Sequence, residues 1–263
     1  MAVSRSVAVV GGTGKTGAAV RDGLERWGAA ARPLGRRELA DPAAAFDGCD
    51  AVYLIAPNLL ADEPAYVTGM LDAMRTAGVE RVVYHSVASP YAPSMPHHVG
   101  KAVSEDLVRR SGLVWTILQP CAYVQNLIPP LLAGDSLVVP YDVDRPFGLV
   151  DLADVGEAAA VVLSDSGHEG ATYELGGPGL VSVADVAQAA SRVLGRTVEA
   201  RRLDPRRWAR DAGAALEKRE RDWLRAMFAY YDAYGLPTGS QPLHALLGRR
   251  PTSVEDALRR DLP

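Results

Sequence analysis

The sequence predicts an α/β protein built around a doubly wound parallel β-sheet. Short β-rich runs alternate with helical stretches through the first half of the chain. These runs are continuously apolar, which is typical of strands buried on both faces of a parallel sheet. A glycine-rich turn joins the first run to the first helical stretch. Together these features favour a single sheet with helices packed on both faces.

The elements of the first half follow from these patterns in order. Strands are predicted at residues 7–10, 30–34, 51–55, 81–86 and 114–119, and helices at 15–27, 63–77 and 99–111. The helix at 63–77 has apolar residues at helical spacing, including Val67, Met70 and Met74. Residues 37–50 contain no β-branched run. The strand that would normally follow the second strand should therefore be very short or missing.

The second half keeps the alternation in a looser form. Ser182 and Asp185 form a capping box that opens a helix, and Gly195 ends that helix. Thr252 and Glu255 predict a similar cap for a last short helix. The other predicted elements are strands at 147–150 and 172–175 and helices at 155–163 and 217–234. No repeat or flexible linker separates the halves, so residues 1–263 are expected to form one compact unit.

Composition limits the classes to which the protein can belong. Its 263 residues are 48% hydrophobic and 23% charged, which argues against disorder. The formal net charge of −4 provides no global positive field, so neither nucleic acid nor a membrane is expected as a partner. There is no run of about 18 apolar residues, and the N-terminal apolar run is too short for a signal peptide, so we expect a cytoplasmic protein. Cys49 and Cys121 lie far apart, which argues against a disulfide scaffold and a metal site.

The glycine-rich turn is the most informative motif. It follows a strand and opens a helix, which is the context of a dinucleotide-binding turn in a Rossmann-type sheet. Its glycines fit two registers, which start at Gly11 or at Gly12 and share Gly14 and Gly17. Glycine lets backbone N–H groups approach a pyrophosphate at the positive end of a helix. The candidate cofactor ligands here are Gly11, Gly12, Thr13, Gly14, Lys15, Thr16 and Gly17.

The same segment could suggest the phosphate loop of a nucleoside triphosphatase. That motif needs a glycine five positions before its Gly-Lys pair. Here the pair is Gly14-Lys15, and the required position holds Val9. The triphosphatase interpretation therefore fails, and a turn with only a structural role is the remaining alternative.

The residues near the end of the second strand indicate which dinucleotide is bound. NAD binding favours an acidic residue there, which holds the ribose 2′-hydroxyl. Instead the sequence has Arg32, Arg36 and Arg37, while Glu38 comes slightly late. A guanidinium can bind a 2′-phosphate through paired hydrogen bonds, so NADP(H) is favoured over NAD(H), with Arg36 in the leading role. The alternative is a solvated cluster of charges.

Six segments, in the same order, resemble the NmrA-like family of atypical short-chain dehydrogenases/reductases. They are GGTGKTG, DAVYLIAP, RVVYHSVAS, HHVGKAVSEDLVRRSGLVWTILQPCAYVQN, VDLADVGEAAAVVL and YYDAYGLPTGSQPLHALLGRRP, and they cover nearly the whole chain. The resemblance implies an NAD(P)-binding Rossmann part at residues 1–120 and about 147–176. It also implies a smaller, mainly helical substrate-binding part at about 121–146 and 177–263.

The resemblance also implies roles for single residues. Gly11, Gly14 and Gly17 match the phosphate turn, and Arg36 matches an arginine that often meets the 2′-phosphate. Further matches are Asp41 near the adenine, Ala56 and Pro57 at a strand end that contacts the cofactor, Lys101 at the nicotinamide ribose, and Asn126 after the last strand of the first half. Two positions depart from the family: Gln119 replaces an arginine, and His97 stands where the related enzymes have a catalytic tyrosine.

Candidate catalytic residues follow from these matches. Lys101 lies four residues after His97 on a predicted helix, so both point to one face. A histidine titrates near neutrality, so His97 or His98 could donate a proton, although both could also be simply exposed. Ser86 ends a strand at the edge where ligands bind in open α/β sheets. Tyr91, Tyr123, His98 and Asn126 are further candidates for contact with a substrate.

Three functions remain open. The first is an NADPH-dependent reductase of a small apolar or aromatic carbonyl, quinone or enone. The second is a redox-sensing regulator that binds NAD(P) without turnover. The third is a non-redox biosynthetic enzyme, such as an isomerase, lyase, hydrolase or cyclase, on the same scaffold. A small-molecule partner is expected for both enzyme hypotheses, whereas the regulator would engage a protein partner. No metal is expected.

Overall fold

A computed structural model describes residues 6–263 and contains one main parallel sheet. The strands are β1 (Ser6–Val10), β2 (Ala30–Leu34), β3 (Ala51–Leu54), β4 (Arg81–His85), β5 (Val114–Pro120), β6 (Ser136–Val139), β7 (Ala171–Leu175) and β8 (Glu199–Arg202). Six of them form the sheet, in the order β2-β1-β3-β4-β5-β7, and every neighbouring pair is parallel. The predicted doubly wound parallel sheet is confirmed.

The helices lie on both faces of this sheet and beyond its C-terminal edge. They are α1 (Lys15–Arg26), α2 (Pro42–Phe46), α3 (Glu63–Thr76), α4 (Pro96–Arg109), α5 (Ile128–Ala133), α6 (Leu152–Ser164), α7 (Val183–Leu194), α8 (Pro205–Arg210), α9 (Lys218–Tyr234), α10 (Gln241–Leu247) and α11 (Val254–Asp261). Helices α1 and α6 pack together on one face, and α3 and α4 pack on the other. The division of the chain into a cofactor part and a substrate part stays a prediction.

The strand expected to be very short or missing is missing. Residues 38–46 form a 3₁₀ turn, Glu38–Ala40, followed by helix α2. The carboxylate of Asp41 accepts a hydrogen bond from the N–H of Ala44 and so begins α2. As a result β2 is an edge of the sheet, and the loop with Arg36 and Arg37 that follows it is exposed.

Alternation along the strands divides the core into two layers. On one face Val9 of β1, Tyr53 of β3 and Leu118 of β5 pack with α1 and α6. On the other face their neighbours, including Val10 and Leu54, pack with α3 and α4. The side chains of these strands are almost entirely inaccessible to solvent. This explains the continuously apolar strands in the sequence.

Three expectations for single elements are wrong. Helix α4 begins at Pro96 rather than at 99, because a proline fits the first helical position. Residues 147–150 form no continuous strand. Their hydrogen bonds go to separate segments, such as Phe147 to Val181 and Val150 to Ala122.

The third correction concerns the cap of α11. The cap is Ser253 with Asp256, one position later than predicted. The hydroxyl and N–H of Thr252 instead donate to Asp154. Sequence patterns also missed α2, α5, α8, α10 and the small parallel sheet of β6 and β8, all of which are short.

Helices α1 and α6 touch through glycines. A Cβ on Gly23 would lie 2.2 Å from the carbonyl oxygen of Gly156, and a Cβ on Gly156 would lie 2.1 Å from that of Ala19. Real Cβ atoms do not approach so closely, so neither position accepts a side chain without a shift of a helix. The glycines therefore set the position of α1 relative to the sheet.

We predict that Gly156→Ala lowers the free energy of unfolding by about 1–3 kcal/mol, because the added methyl group overpacks the contact. Gly69→Ala is the matched control. Gly69 lies in the exposed middle of α3 with open space at its Cβ, so this change should stabilise the protein by about 0.5–1 kcal/mol. Urea denaturation of both variants measures the difference, and equal effects would contradict the proposed contact.

Candidate active site

A cleft of about 540 Å³ opens at the carboxyl edge of the sheet. The ends of β3, β4 and β5 form its floor, and the first turn of α1, the start of α4 and helix α9 form its walls. Ligands bind at this edge in open α/β sheets. The cleft brings together nine of the predicted site residues: Lys15, Thr16, Ala56, Ser86, His97, His98, Lys101, Tyr123 and Asn126.

The glycine turn beside the cleft is tightly packed at two positions and open at one. A Cβ on Gly12 would lie 2.7 Å from the Cα of Pro33, and a Cβ on Gly17 would lie 2.2 Å from the carbonyl oxygen of Gly11. Gly11 itself has a φ of +75°. Gly14 is different, because its Cβ would meet only the Gly11 carbonyl oxygen, at 3.4 Å. Packing within the described chain therefore does not require glycine at position 14.

The start of α1 can receive an anion. Within residues 6–263 no side chain caps this helix, and its first turn contains no acidic residue. Its first N–H groups and the positive end of its dipole favour a negative charge. Gly14 leaves the approach open, and Thr13 beside it is exposed. These features fit the pyrophosphate of a dinucleotide.

Lys15 spans the cleft next to this turn. Its ammonium donates a hydrogen bond to Oδ1 of Asn126, at 2.7 Å. Burial lowers the pKa of the Lys15 amine. The contact joins the first turn of α1 to the segment after β5, although 111 positions separate the two residues.

The arginines in β2 and directly after it differ in their contacts. Arg36 is exposed and makes no hydrogen bond or ion pair within the described chain, and Arg37 beside it is also exposed. Arg32 is instead held by the carbonyl oxygen of Asp47 and the thiol of Cys49. Glu38 folds back and accepts a hydrogen bond from the N–H of Gly35, at 2.9 Å. Backbone hydrogen bonds at Glu38 and Gly35 hold the pKa of the Glu38 carboxyl below its usual range.

Several predicted residues do not line the cleft. Asp41 caps α2, so one of its carboxylate oxygens already has a partner. Pro57 is exposed beside Ala56. Tyr91 is 65% exposed, and its hydroxyl lies 3.4 Å from Oε2 of Glu105. The structure leaves the roles of Asp41, Pro57 and Tyr91 as predictions.

The hydroxyl of Ser86 is committed as a donor. It donates to Oε1 of Glu105, which is fully buried, at 2.5 Å. The same oxygen accepts from Gln119, and Arg109 donates to the other oxygen at 3.0 Å. Since a serine has one hydroxyl hydrogen, Ser86 can only accept a hydrogen bond from a ligand in the cleft. Glu105 therefore accepts hydrogen bonds from Ser86, Gln119 and Arg109.

Lys101 is buried in an ion pair at the cleft wall. Its ammonium donates to Oε1 of Glu63, at 2.8 Å, and contacts the carbonyl oxygen of His85, at 3.4 Å. The hydroxyl of Tyr84 donates to the same oxygen of Glu63. Lys101 is 8% exposed and Glu63 is 2% exposed. The cleft therefore has a cation whose counter-ion lies behind it, on α3.

His97 and His98 lie in the first turn of α4. Burial, followed by the charge of Lys101, lowers the pKa of His97 to about 3. Burial lowers the pKa of His98 to about 4, against hydrogen bonds with the backbone of Ser89 and Ala88 that raise it. Both imidazoles are neutral at pH 7. The ring of His97 stacks on Trp223 of α9, and its nitrogens have no hydrogen-bond partner within the described residues.

A second histidine system lies under the cleft. The hydroxyl of Tyr53 is 2.7 Å from Nδ1 of His85, and the hydroxyl of Tyr123 is 2.7 Å from Nε2. Tyr53 is fully buried and has no other polar partner among residues 6–263, so its hydroxyl must donate to Nδ1. Burial, followed by the charge of Lys101, lowers the pKa of His85 to about 3. The neutral imidazole therefore has its hydrogen on Nε2 and donates to Tyr123.

The deep half of the cleft is apolar and aromatic. Tyr141, Phe147 and Tyr231 contact one another through their rings, with centroids 5.3–5.6 Å apart. Phe228 of α9 extends this wall. Burial raises the pKa of the Cys121 thiol to about 11, so Cys121 is an unreactive thiol rather than a nucleophile. Apolar walls with few polar groups are typical of sites for small organic molecules.

Residues 6–263 contain neither a metal-binding cluster nor a membrane-spanning helix. Within that range no group of three or more His, Cys, Asp or Glu side chains is arranged to hold a metal ion. No helix of the described chain is both long and apolar enough to span a membrane.

Sequence reasoning missed Glu63, Glu105, Tyr53 and His85. All four are buried; Glu63, Glu105 and Tyr53 lie behind the cleft, and His85 lies at its floor. One feature of the sequence could have identified them: each is a charged or polar residue on the inward face of a predicted helix or strand. Glu105 lies four residues after Lys101 on α4, so both residues lie on the same side of that helix.

Comparison with known proteins gives a family match. The model of the NmrA-like family matches residues 35–256. Among curated proteins, an NAD(P)H azoreductase from Xenophilus azovorans is 32% identical over 219 residues, which cover 73% of this chain and 75% of that protein.

Solved structures share the fold. An NADPH-dependent quinone oxidoreductase of Escherichia coli, complexed with NADPH, superposes with a TM-score of 0.82 at 21% identity, covering 97% of this chain and 99% of that one. NmrA, a negative transcriptional regulator, superposes with a TM-score of 0.71 at 21% identity, covering 99% of this chain and 92% of that one. The predicted Rossmann-type fold agrees with both.

We predict that stability falls as the pH drops from about 6.5 towards 4. The pKa values of His85 and His98 are about 3 and 4 in the folded chain, below the usual 6.5. The unfolded chain therefore binds more protons in this window, which favours unfolding by up to ~1.4 kcal/mol per pH unit for each histidine. Urea denaturation at pH 7, 6 and 5 gives the slope. His98→Asn should reduce it, whereas replacement of the exposed His244 should not.

Proposed function

Since the chain belongs to the NmrA-like family, we propose that it is an NADPH-dependent reductase of a small apolar or aromatic carbonyl, quinone or enone. One observation carries the proposal. A buried lysine, Lys101, and a hydroxyl that can only accept, Ser86, face the same cleft at the carboxyl edge of the sheet. The open start of α1 lies beside them. The likeness to an NAD(P)H azoreductase supports the same class of reaction.

The residues present fit a nicotinamide dinucleotide. The first turn of α1, with Gly14 at its start, would hold the pyrophosphate through backbone N–H groups, and Lys15 would add a positive charge. Ser86 would accept a hydrogen bond from the carboxamide of the nicotinamide, because its own hydrogen is bound to Glu105. Lys101 would donate to the nicotinamide ribose. When bound, the cofactor supplies the hydride.

The preference for NADPH rests on Arg36. Its guanidinium is exposed after β2 and has no competing acid within the described chain. Arg37 adds a second positive charge nearby. Arg32 is occupied by Asp47 and Cys49, so it is not free to take part. Two arginines at this place favour a 2′-phosphate over a free 2′-hydroxyl.

The substrate would bind in the aromatic half of the cleft. Its wall contains Tyr141, Phe147, Phe228 and Tyr231, and it has no charged side chain of its own. A flat, uncharged ring system would bury well there, whereas a phosphorylated substrate would lose its hydration without gaining a partner. This supports quinones, enones and aromatic carbonyls as the substrate class.

We propose that Lys101 and His97 act on the reacting oxygen of the substrate. The positive charge of Lys101 would stabilise, without a direct hydrogen bond, the negative charge that develops on that oxygen. His97 is neutral, so it would act as an N–H donor to the same oxygen rather than as an imidazolium acid. His98, Tyr123 and Asn126 would line the substrate space, with Tyr123 oriented by His85.

The two alternatives differ in measurable ways. A redox-sensing regulator would bind both cofactor forms with different affinity and show no turnover, and the likeness to NmrA makes this the second candidate. A non-redox enzyme would form product without nicotinamide. The expectation that nucleic acid is not a partner stays a prediction.

We predict that NADPH quenches the protein fluorescence at a lower concentration than NADH does. Arg36→Ala should raise the Kd for NADPH about tenfold to hundredfold, since a charged hydrogen bond contributes roughly 1.5–3 kcal/mol, and should leave the Kd for NADH unchanged. Arg110→Ala is the matched control, because Arg110 is exposed and, within residues 6–263, pairs with Asp106 alone. Equal NADPH affinity in the Arg36 and Arg110 variants would refute the assignment.

We predict that Lys101→Met lowers kcat for quinone reduction by roughly 10²–10⁴-fold, the range typical of a lost catalytic group. The substitution also leaves Glu63 buried without its cation, so the variant must be shown to fold by circular dichroism. Glu63→Gln/Lys101→Met removes both charges and serves as the stability control. Turnover at the wild-type rate in a folded Lys101→Met variant would remove Lys101 from the mechanism.

A further inference from the structure

We propose that Glu63 is a positioning residue for Lys101: its buried carboxylate fixes the ammonium at the wall of the cleft and keeps it charged. The proposal rests on the proposed function, because it assigns to Glu63 the maintenance of the cation that the reductase site uses. Glu63 does not line the cleft and acts only through Lys101.

The burial of Lys101 makes a counter-ion necessary. An ammonium that is 8% exposed has lost most of its hydration, and an unpaired buried charge loses its proton instead of remaining charged. The carboxylate of Glu63 lies 2.8 Å away, and its side chain is only 2% exposed. The pair is therefore shielded from solvent. The attraction between opposite charges is stronger in the protein interior than in water.

Glu63 is itself held in place. It is the first residue of α3, directly after the capping residue Asp62, so the positive end of the helix dipole favours its negative charge. The hydroxyl of Tyr84 donates to the oxygen that also binds Lys101. The other oxygen, Oε2, is buried and has no hydrogen-bond partner among residues 6–263. The carboxylate is thus aimed at Lys101 through one oxygen.

A count of hydrogens shows what Lys101 has left to offer. An ammonium has three N–H groups. One donates to Glu63 and one points to the carbonyl oxygen of His85. The third has no partner within the described residues, and Lys101 lines the cleft. This arrangement leaves one charged N–H group for a ligand.

The other titratable groups around Lys101 cannot replace Glu63. His97 and His98 on α4 and His85 on β4 all have pKa values lowered by burial and by the charge of Lys101, so they are neutral at pH 7. The ammonium nitrogen of Lys101 lies over the ring of Tyr84, 5.5 Å from the centre of that ring. Glu105 on α4 is engaged by Arg109 and Ser86.

The first test measures the charge on Lys101 without any cofactor. The chain has lysines only at 15, 101 and 218, so trace labelling with acetic anhydride, followed by mass spectrometry, resolves each amine. An amine reacts only when it is uncharged. In Glu63→Gln, labelling of Lys101 should begin at a pH about one to three units lower than in the wild-type protein. A nearby opposite charge typically has an effect of this size. Lys15 and Lys218 are internal references and should not change.

The second test connects this charge to turnover. In Glu63→Gln, the alkaline limb of the pH profile of kcat should move to lower pH by the same number of pH units. Glu63→Asp keeps the negative charge but moves it away from Lys101. It should therefore shift the labelling curve and the kcat profile less than Glu63→Gln does. It replaces Glu63→Gln if that variant does not fold. Asp154→Asn is the matched control. It breaks a buried carboxylate pair with Arg249 outside the cleft and should move neither curve.

The outcomes separate the two proposals. Wild-type turnover of NADPH together with identical labelling of Lys101 in all variants would overturn the role of Glu63 alone. If labelling shifts but no quinone or enone supports NADPH oxidation by the wild-type protein, the proposed function is overturned. The role of Glu63 in catalysis is then overturned with it. A shift in Asp154→Asn equal to that in Glu63→Gln would overturn the specific role of Glu63, since loss of any buried carboxylate would then have the same effect.

Discussion

The structure depends on close backbone contacts at glycines, from the turn after β1 through α1 to α6. These contacts leave no space for a Cβ atom. Gly12 packs against β2, Gly17 packs against the turn itself, and Gly23 packs against Gly156 of α6. These contacts hold α1 against the sheet at one height and one angle. Its uncapped start then lies at the carboxyl edge, next to the ends of β3, β4 and β5. The start of α1 and the cleft are adjacent because the glycines let α1 pack this close to the sheet and to α6.

Buried carboxylates determine what the cleft offers to a ligand. Glu105 takes the hydrogen of Ser86, which turns that hydroxyl into an acceptor. Glu63 pairs with Lys101, which provides a donor with positive charge. Burial and that positive charge keep His85, His97 and His98 neutral. The polar character of the cleft therefore comes from residues behind its surface, and the aromatic half has no charge to oppose an apolar ring.

Much of the main sheet could be predicted because its strands are buried on both faces and read as apolar runs. The missing strand was correctly seen as a gap in β-branched residues, and the Ser182 cap and the Gly195 end of α7 lie where predicted. The sequence predicts too late a start for α4, because the prolines before it are typical of a loop, whereas the helix begins at Pro96 and includes His97 and His98. The segment at 147–150 failed as a strand because its hydrogen bonds go to three distant segments.

The sequence alone determined the fold class, the glycine-rich turn after β1 and several of the polar residues that line the cleft, since these follow from local patterns of glycine, apolar and charged residues. Only the tertiary structure decided how those residues behave. Glu63 meets Lys101 across 38 positions and Tyr53 meets His85 across 32, so neither pair has a local pattern. Burial then changes the chemistry of each partner, because a charge or a hydroxyl removed from water must find its hydrogen bonds inside the protein.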